Sequence, residues 1–228
     1  QRGVLETPAW QALGGESLAA FEQGLAAIFA GRDIASVLNE AQTESEIIAP
    51  ILALLGWGDA SLPQVNLSVK RREDVPDWLL FADAARKADA LAETKDDRRY
   101  RHGLALLEAK RWTRPLDRGD ATDLADPDTP SSQMLRYLSR ADVVGERSVK
   151  WGVLTNGSVW RLYWQDARSR SEEFFEIPLA RALGLPGFQR ELDDPPPAHL
   201  LRLFALFFGR AAFLPQGWDA AGRTLHAY

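Results

Sequence analysis

The chain has no cysteine in 228 residues and three scattered histidines, His102, His199 and His226. Disulfides and thiolate zinc sites are therefore excluded, and no histidines have the close spacing of a zinc-binding pair. No apolar run is long enough to cross a bilayer and no signal-peptide pattern opens the chain, so no membrane partner and a cytoplasmic location are expected. The chain opens on Gln1 rather than Met, as a piece of a longer protein would. Positive charge is in deficit: 27 Lys and Arg face 32 Asp and Glu, a net charge of −5. That balance argues against a protein that coats DNA non-specifically. Gly-rich phosphate loops, nucleophile elbows and internal repeats are absent too.

What is present fits one globular domain, or one domain with helical additions: 46% of residues are hydrophobic and 26% charged. The first 15 residues read as irregular, and Ser17 reads as the cap of a helix burying Leu18, Phe21, Leu25, Ile28 and Phe29, ended by Gly31. A second helical region is predicted from about Ala35 to Leu55, stopped by Gly56-Trp57-Gly58. Thr43 and Glu46 form a capping-box pattern inside it, and Pro50 should kink it or mark an early turn. Val65, Leu67 and Val69 alternate like a first strand; "VPDWLLF" and "LALLEAKRW" read as the second and third. Residues 83–95 read as a helix or ordered insertion between them. A Pro/Asp-rich loop from Pro115 to Pro130 leads to a helix running toward Val144. Asn156-Gly157 then marks a hairpin, "EEFFEIPL" a further strand, and His199 to Phe213 a last apolar helix behind three prolines. The alternating Trp160, Leu162 and Trp164 read as core rather than as a base-stacking platform. This order indicates an α/β fold, a mixed sheet with helices on both faces.

Two of the apolar strands carry charge: Asp77 in one, Glu108 and Lys110 in the other. An unpaired buried charge is costly, so these residues need a reason to be there. Residues two apart on a strand share a face, which sets Glu108 beside Lys110, and a neighbouring Asp77 would bring three charges together. Two carboxylates and a lysine are what a divalent-metal phosphodiester-cleaving site requires. Gln133 and Tyr137, four apart on a helix, share a face and could point at the same place.

These motifs resemble the PD-(D/E)XK nuclease superfamily, with Pro76-Asp77 as "PD", Glu108-Ala109-Lys110 as "EXK", and Gln133 to Tyr137 as the QxxxY helix of RecB-type members. Together with "NEAQTESEIIAPILALLGWG" and "WGVLTNGSVWRLY", in one order over roughly residues 35–178, they look like the amino-terminal nuclease domains of type I restriction motor subunits and type IIG restriction–modification enzymes. The resemblance implies a restriction-endonuclease-like core at 35–180 with helical extensions at 1–34 and 181–228. It also implies a Mg²⁺-dependent DNA endonuclease in which Mn²⁺ can substitute, with Asp77, Glu108 and the Ala109 carbonyl as metal ligands. Lys110 would orient the attacking water, and Gln133 and Tyr137 would position phosphate or water. A helix glutamate completes such sites; Glu40 has the matching spacing, with Glu44 as runner-up. Methyltransferase, specificity or motor domains would lie on the same chain or on partner subunits.

Arg111, Arg114 and Arg136 are candidate phosphate contacts, the first two in a basic stretch, residues 98–118, that also holds Arg98, Arg99, Arg101 and Arg118. The first arginines of that stretch, like Lys70-Arg71-Arg72, fit a solvated loop equally well. Two features depart from the family pattern. The gap between the two strand motifs requires an insertion at 83–103, and acidic residues from Asp120 to Asp128 follow Pro115 close to a DNA path. The competing reading is a catalytically silent nuclease-like fold that binds DNA or docks a subunit.

Overall fold

The computed structural model describes residues 2–32, 38–68, 74–119 and 129–228. The predicted helix start at Ala35, Val69, the Lys70-Arg71-Arg72 triplet and the acidic stretch from Asp120 to Asp128 lie outside the described residues.

Six strands form one mixed sheet in sequence order: β1 (Ser61–Pro63), β2 (Trp78–Phe81), β3 (Gly103–Ala109), β4 (Trp151–Thr155), β5 (Trp160–Trp164) and β6 (Phe174–Ile177). All neighbours are antiparallel except β3 and β4, which run parallel. A parallel pair needs a crossover, and helix α8 (Pro130–Val144) lies in that connection. Before it in the chain come α1 (Arg2–Leu5), α2 (Pro8–Ala12), α3 (Gly15–Phe29), α4 (Glu40–Thr43), α5 (Ala49–Leu54), α6 (Ala84–Ala92) and α7 (Asp96–Arg99); α9 (Leu179–Ala182) and α10 (Pro197–Phe208) follow the sheet.

The period-2 alternation of strand side chains divides the core in two. Leu80, Ala105, Leu107, Val153 and Leu162 face a cluster that includes Leu25 of α3, Ile51 of α5 and Phe204 of α10. Leu79, Leu106, Leu154 and Tyr163 face Ala90 of α6 and Met134, Leu138 and Ala141 of α8. Helices therefore cover both faces. Of the alternating Trp160, Leu162 and Trp164 of β5, the first two are core, whereas Trp164, at the strand's end, is exposed and corrects that part of the expectation. The insertion predicted at 83–95 is α6, capped by Asp83, whose carboxylate accepts from the Arg86 N–H.

Several local expectations are corrected. The first 15 residues are not irregular: they form α1 and α2, the latter capped by Thr7 with Pro8 in its first turn. The cap of α3 is Gly14, and the Ser17 hydroxyl instead donates back to the Ala12 and Gly14 carbonyls. The capping box near residue 43 belongs to Asn39 and Gln42; Glu46 pairs with Arg32. Val65 and Leu67 alternate because their side chains are buried, not because they join the ladder: the strand is Ser61–Pro63, and the Val65 carbonyl accepts from the Tyr100 hydroxyl at 2.6 Å. Burial and strand pairing give the same sequence signal.

Pro50 acts as expected, with more detail. It lacks the N–H that would bond the Glu46 carbonyl, and the helix widens just before it into one π-type turn, Glu44–Ile48, with the Ala49 N–H reaching the Glu44 carbonyl. Asn156-Gly157 does sit in the β4–β5 connection. Thr155 pairs with Trp160, so four residues form the loop, closed by the Asn156 side chain accepting from the Ser158 and Val159 N–H groups.

Candidate functional site

Asp77 lies at the bend immediately before β2, and the register Trp78 to Leu107 sets it opposite Glu108 on β3. Its Oδ2 accepts the Ala109 N–H at 2.7 Å, which fixes the carboxylate against the end of the neighbouring strand. In an extended strand the N–H and C=O of one residue point to the same edge, so the Ala109 carbonyl is turned toward Asp77 as well. Lys110 follows directly, its N–H bonded to the Thr155 carbonyl of β4 at 2.8 Å. Its Nζ donates to Glu108 Oε1 at 2.7 Å, the side-by-side placement that the spacing predicted. Glu108 and Lys110 are 3% and 4% exposed. Glu108 Oε2 is buried with no hydrogen-bond partner among the described residues.

The charges do not balance locally, since two carboxylates share one ammonium. Burial pushes the Asp77 carboxyl well above the usual carboxylate range, and the neighbouring Glu108 pushes it further, against the opposing Ala109 N–H. Burial likewise raises Glu108, with Lys110 acting against it. For Lys110 burial works downward, but attraction to Glu108, then Glu40 and Asp77, outweighs it and the ammonium is held protonated.

Both helix glutamates border this group. Glu40 acts electrostatically on Glu108 and Lys110, and Glu44 on Asp77, while burial and Glu40 raise Glu44 itself. Glu40 on α4 and Glu44 on the π-type turn thus both act on the group, and the choice between them stays as the spacing left it. On the α8 side, Gln133 Nε2 donates to the Tyr137 hydroxyl at 2.9 Å. Burial raises the Tyr137 phenol, and the nearby Glu108 adds to it. Gln133 Oε1, like Glu108 Oε2, is a buried acceptor with no hydrogen-bond partner among the described residues. Buried polar atoms without partners are uncommon and mark places where water, an ion or a ligand belongs.

The three candidate phosphate contacts have different surroundings. Arg114 is buried, and its carbonyl accepts from the Asn156 amide at 2.8 Å. Arg136 pairs with the buried Asp74 at 3.2 Å and lies over the Tyr137 ring, and Arg140 reaches the same carboxylate. Arg111 is partly buried, and its carbonyl accepts the Arg114 N–H across a turn. Sequence reasoning missed Asp74, which fastens α8 to the segment that leads through Asp77 into β2. It also misassigned Thr43: the hydroxyl caps nothing and accepts the Trp112 N–H, two residues past Lys110. No local sequence signal marked this role, since the burial of Thr43 comes from the fold.

The donors suit a hard divalent cation. Among the described residues no three His, Asp or Glu side chains are gathered tightly enough to form a cage alone. Two carboxylates, one with an unused oxygen, and a backbone carbonyl suit Mg²⁺, which binds through few protein oxygens and keeps much of its water. Among the described residues no helix is long and apolar enough to cross a membrane. Comparisons with family models, curated proteins and solved structures gave no match.

Proposed function

We propose that the chain is a Mg²⁺-dependent DNA endonuclease domain of the PD-(D/E)XK kind, belonging to a restriction or phage-defence system. The observation that carries this reading is the convergence of Asp77, Glu108 and Lys110 at the adjacent ends of β2 and β3, with an unpartnered carboxylate oxygen among them. The strand order supports it too. A three-stranded antiparallel run, a crossover helix and a parallel fourth strand agree with a restriction-endonuclease-like core.

In this reading Asp77, Glu108 and the Ala109 carbonyl hold Mg²⁺, which when bound supplies Lewis-acid polarisation of the scissile phosphate and a lowered pKa for its water. Lys110, protonated and fixed by Glu108, orients the attacking water and stabilises charge that develops on the phosphoryl oxygens. Tyr137 and Gln133 hydrogen-bond the phosphate or the water from the α8 side. Glu40 and Glu44 add negative charge that favours the cation. DNA is the substrate, and any sequence specificity comes from methyltransferase, specificity or motor domains on the same chain or on partner subunits.

Relaxation or linearisation of supercoiled plasmid by the purified chain in Mg²⁺ or Mn²⁺, lost in EDTA and in Asp77→Ala and Lys110→Ala, is the expected result. Undiminished cleavage by those variants would sink the mechanism. DNA or partner binding with no metal-dependent cleavage would leave the docking-module reading in its place.

A further inference from the structure

The site draws on two pieces of chain that are distant in sequence, and one buried hydroxyl joins them. Thr43 is fully buried at the last position of α4, between Glu40 and Glu44. Its Oγ1 donates to the Asn39 carbonyl at 2.8 Å and accepts the Trp112 N–H at 2.9 Å. Trp112 stands two residues beyond Lys110 and is itself immobilised. Its ring packs against Phe29 and Phe188, with centroids 6.0 and 5.9 Å away. Gly157 presses on it so closely that a Cβ there would lie 2.7 Å from the ring and 3.4 Å from the Thr43 methyl. The π-type turn starts directly after Thr43 and carries Glu44; such turns are frequent at functional sites because they re-aim one side chain within a helix.

We propose that Thr43 is a positioning residue. Its hydroxyl registers the Glu40–Glu44 turn against the segment that carries Lys110, and so sets the helix carboxylates relative to Asp77, Glu108 and the metal they hold. The valine of Thr43→Val has the same shape but leaves the Trp112 N–H without its acceptor, so the turn loses its register while its packing stays. Serine keeps the bond. The proposal rests on the nuclease reading and deepens it: Thr43 touches neither metal nor substrate, and its effect passes through the two glutamates.

The test uses the full chain in four forms: wild type, Thr43→Val, Thr43→Ser, and Val4→Ala, a core truncation in α1 that serves as a control for lost stability. Plasmid cleavage is titrated with Mg²⁺, and amide exchange is followed at Trp112. Thr43→Val should raise half-saturating Mg²⁺ by about ten-fold, the usual scale for a residue that orients a metal ligand, and speed Trp112 exchange. Thr43→Ser should restore both, and Val4→Ala should leave the Mg²⁺ requirement at the wild-type level. The proposal is overturned if Thr43→Val needs no more Mg²⁺ than Val4→Ala, or if serine fails to restore the response. A wild-type chain that never cleaves, with Trp112 exchange still faster in Thr43→Val, would overturn the positioning role by removing the nuclease reading beneath it, while the hydrogen bond itself would stand.

Discussion

Replacing an acid in the proposed metal site should cost activity, and Asp77→Asn should also make the metal-free chain more stable. Asp77, just before β2, lies opposite Glu108 of β3, and the Lys110 ammonium is bonded to Glu108, so among the described residues the second carboxylate has no ion-pair partner beside two members that are almost wholly buried. Removing the Asp77 charge leaves the Glu108–Lys110 pair balanced one to one. Relieving a buried charge of this kind stabilises by about 1–4 kcal/mol. Against that, the charge-assisted bond from the Ala109 N–H becomes a neutral one to the asparagine carbonyl, a loss of about 1 kcal/mol. A net gain of about 2 kcal/mol raises Tm by ~4–8 °C for a chain of this size. The pH dependence follows from the raised carboxyls. Between the ordinary carboxylate range and the raised folded values the native state binds more protons than the unfolded one. That stability is complete below the ordinary values of 3.8 and 4.5 and is lost as pH rises through the folded ones. Asp77→Asn should therefore gain most at pH 8 and little at pH 4. The assay is thermal unfolding in EDTA across that range, repeated with Mg²⁺, which should stabilise the wild type and not the variant. An Asp77→Asn chain less stable than wild type at pH 8, or equally stabilised by Mg²⁺, would refute the reasoning.

The opposite sign is expected at Lys110. Lys110→Ala strands two buried carboxylates with no cation, a loss of about 3 kcal/mol at pH 8 that shrinks toward pH 5 as they take up protons, measurable by urea unfolding. Gly157→Ala meets both a left-handed backbone, φ +79°, and the Trp112 ring, and should cost about 2–4 kcal/mol in the same measurement. Arg161→Lys replaces a bidentate pair to Asp117, with bonds of 2.6 and 2.7 Å, by a single contact. With Asp117 largely exposed it should cost about 1 kcal/mol or less, with no change in the Mg²⁺ requirement of cleavage.

The parts of the site that the sequence made legible are those governed by one element's periodicity. Glu108 and Lys110 share a face because strands alternate, and Gln133 and Tyr137 share one because helices turn in about four residues. The antiparallel β2–β3 pairing that supplies Asp77 could be expected from two short apolar strands with an insertion between them. What stayed hidden depends on tertiary partners. The Thr43 hydroxyl has a capping choice and a distant choice, and only the position of Trp112 decides between them. The burial of Arg114 and the pairing of Arg136 with Asp74 likewise depend on the fold rather than on local sequence. Val65 and Leu67 alternate as a strand would, yet spend that pattern on burial beneath Tyr100.

The most direct test of a divalent-metal site at Asp77 and Glu108 is calorimetric titration with Mn²⁺ at pH 7, in two buffers of different ionisation enthalpy so that released protons are counted. Wild type should bind with release of about one proton, because the raised carboxyls must ionise to become ligands. Asp77→Asn and Glu108→Gln should bind far more weakly. Binding that releases no proton, or that survives in both variants, would contradict a metal centre at these two carboxylates.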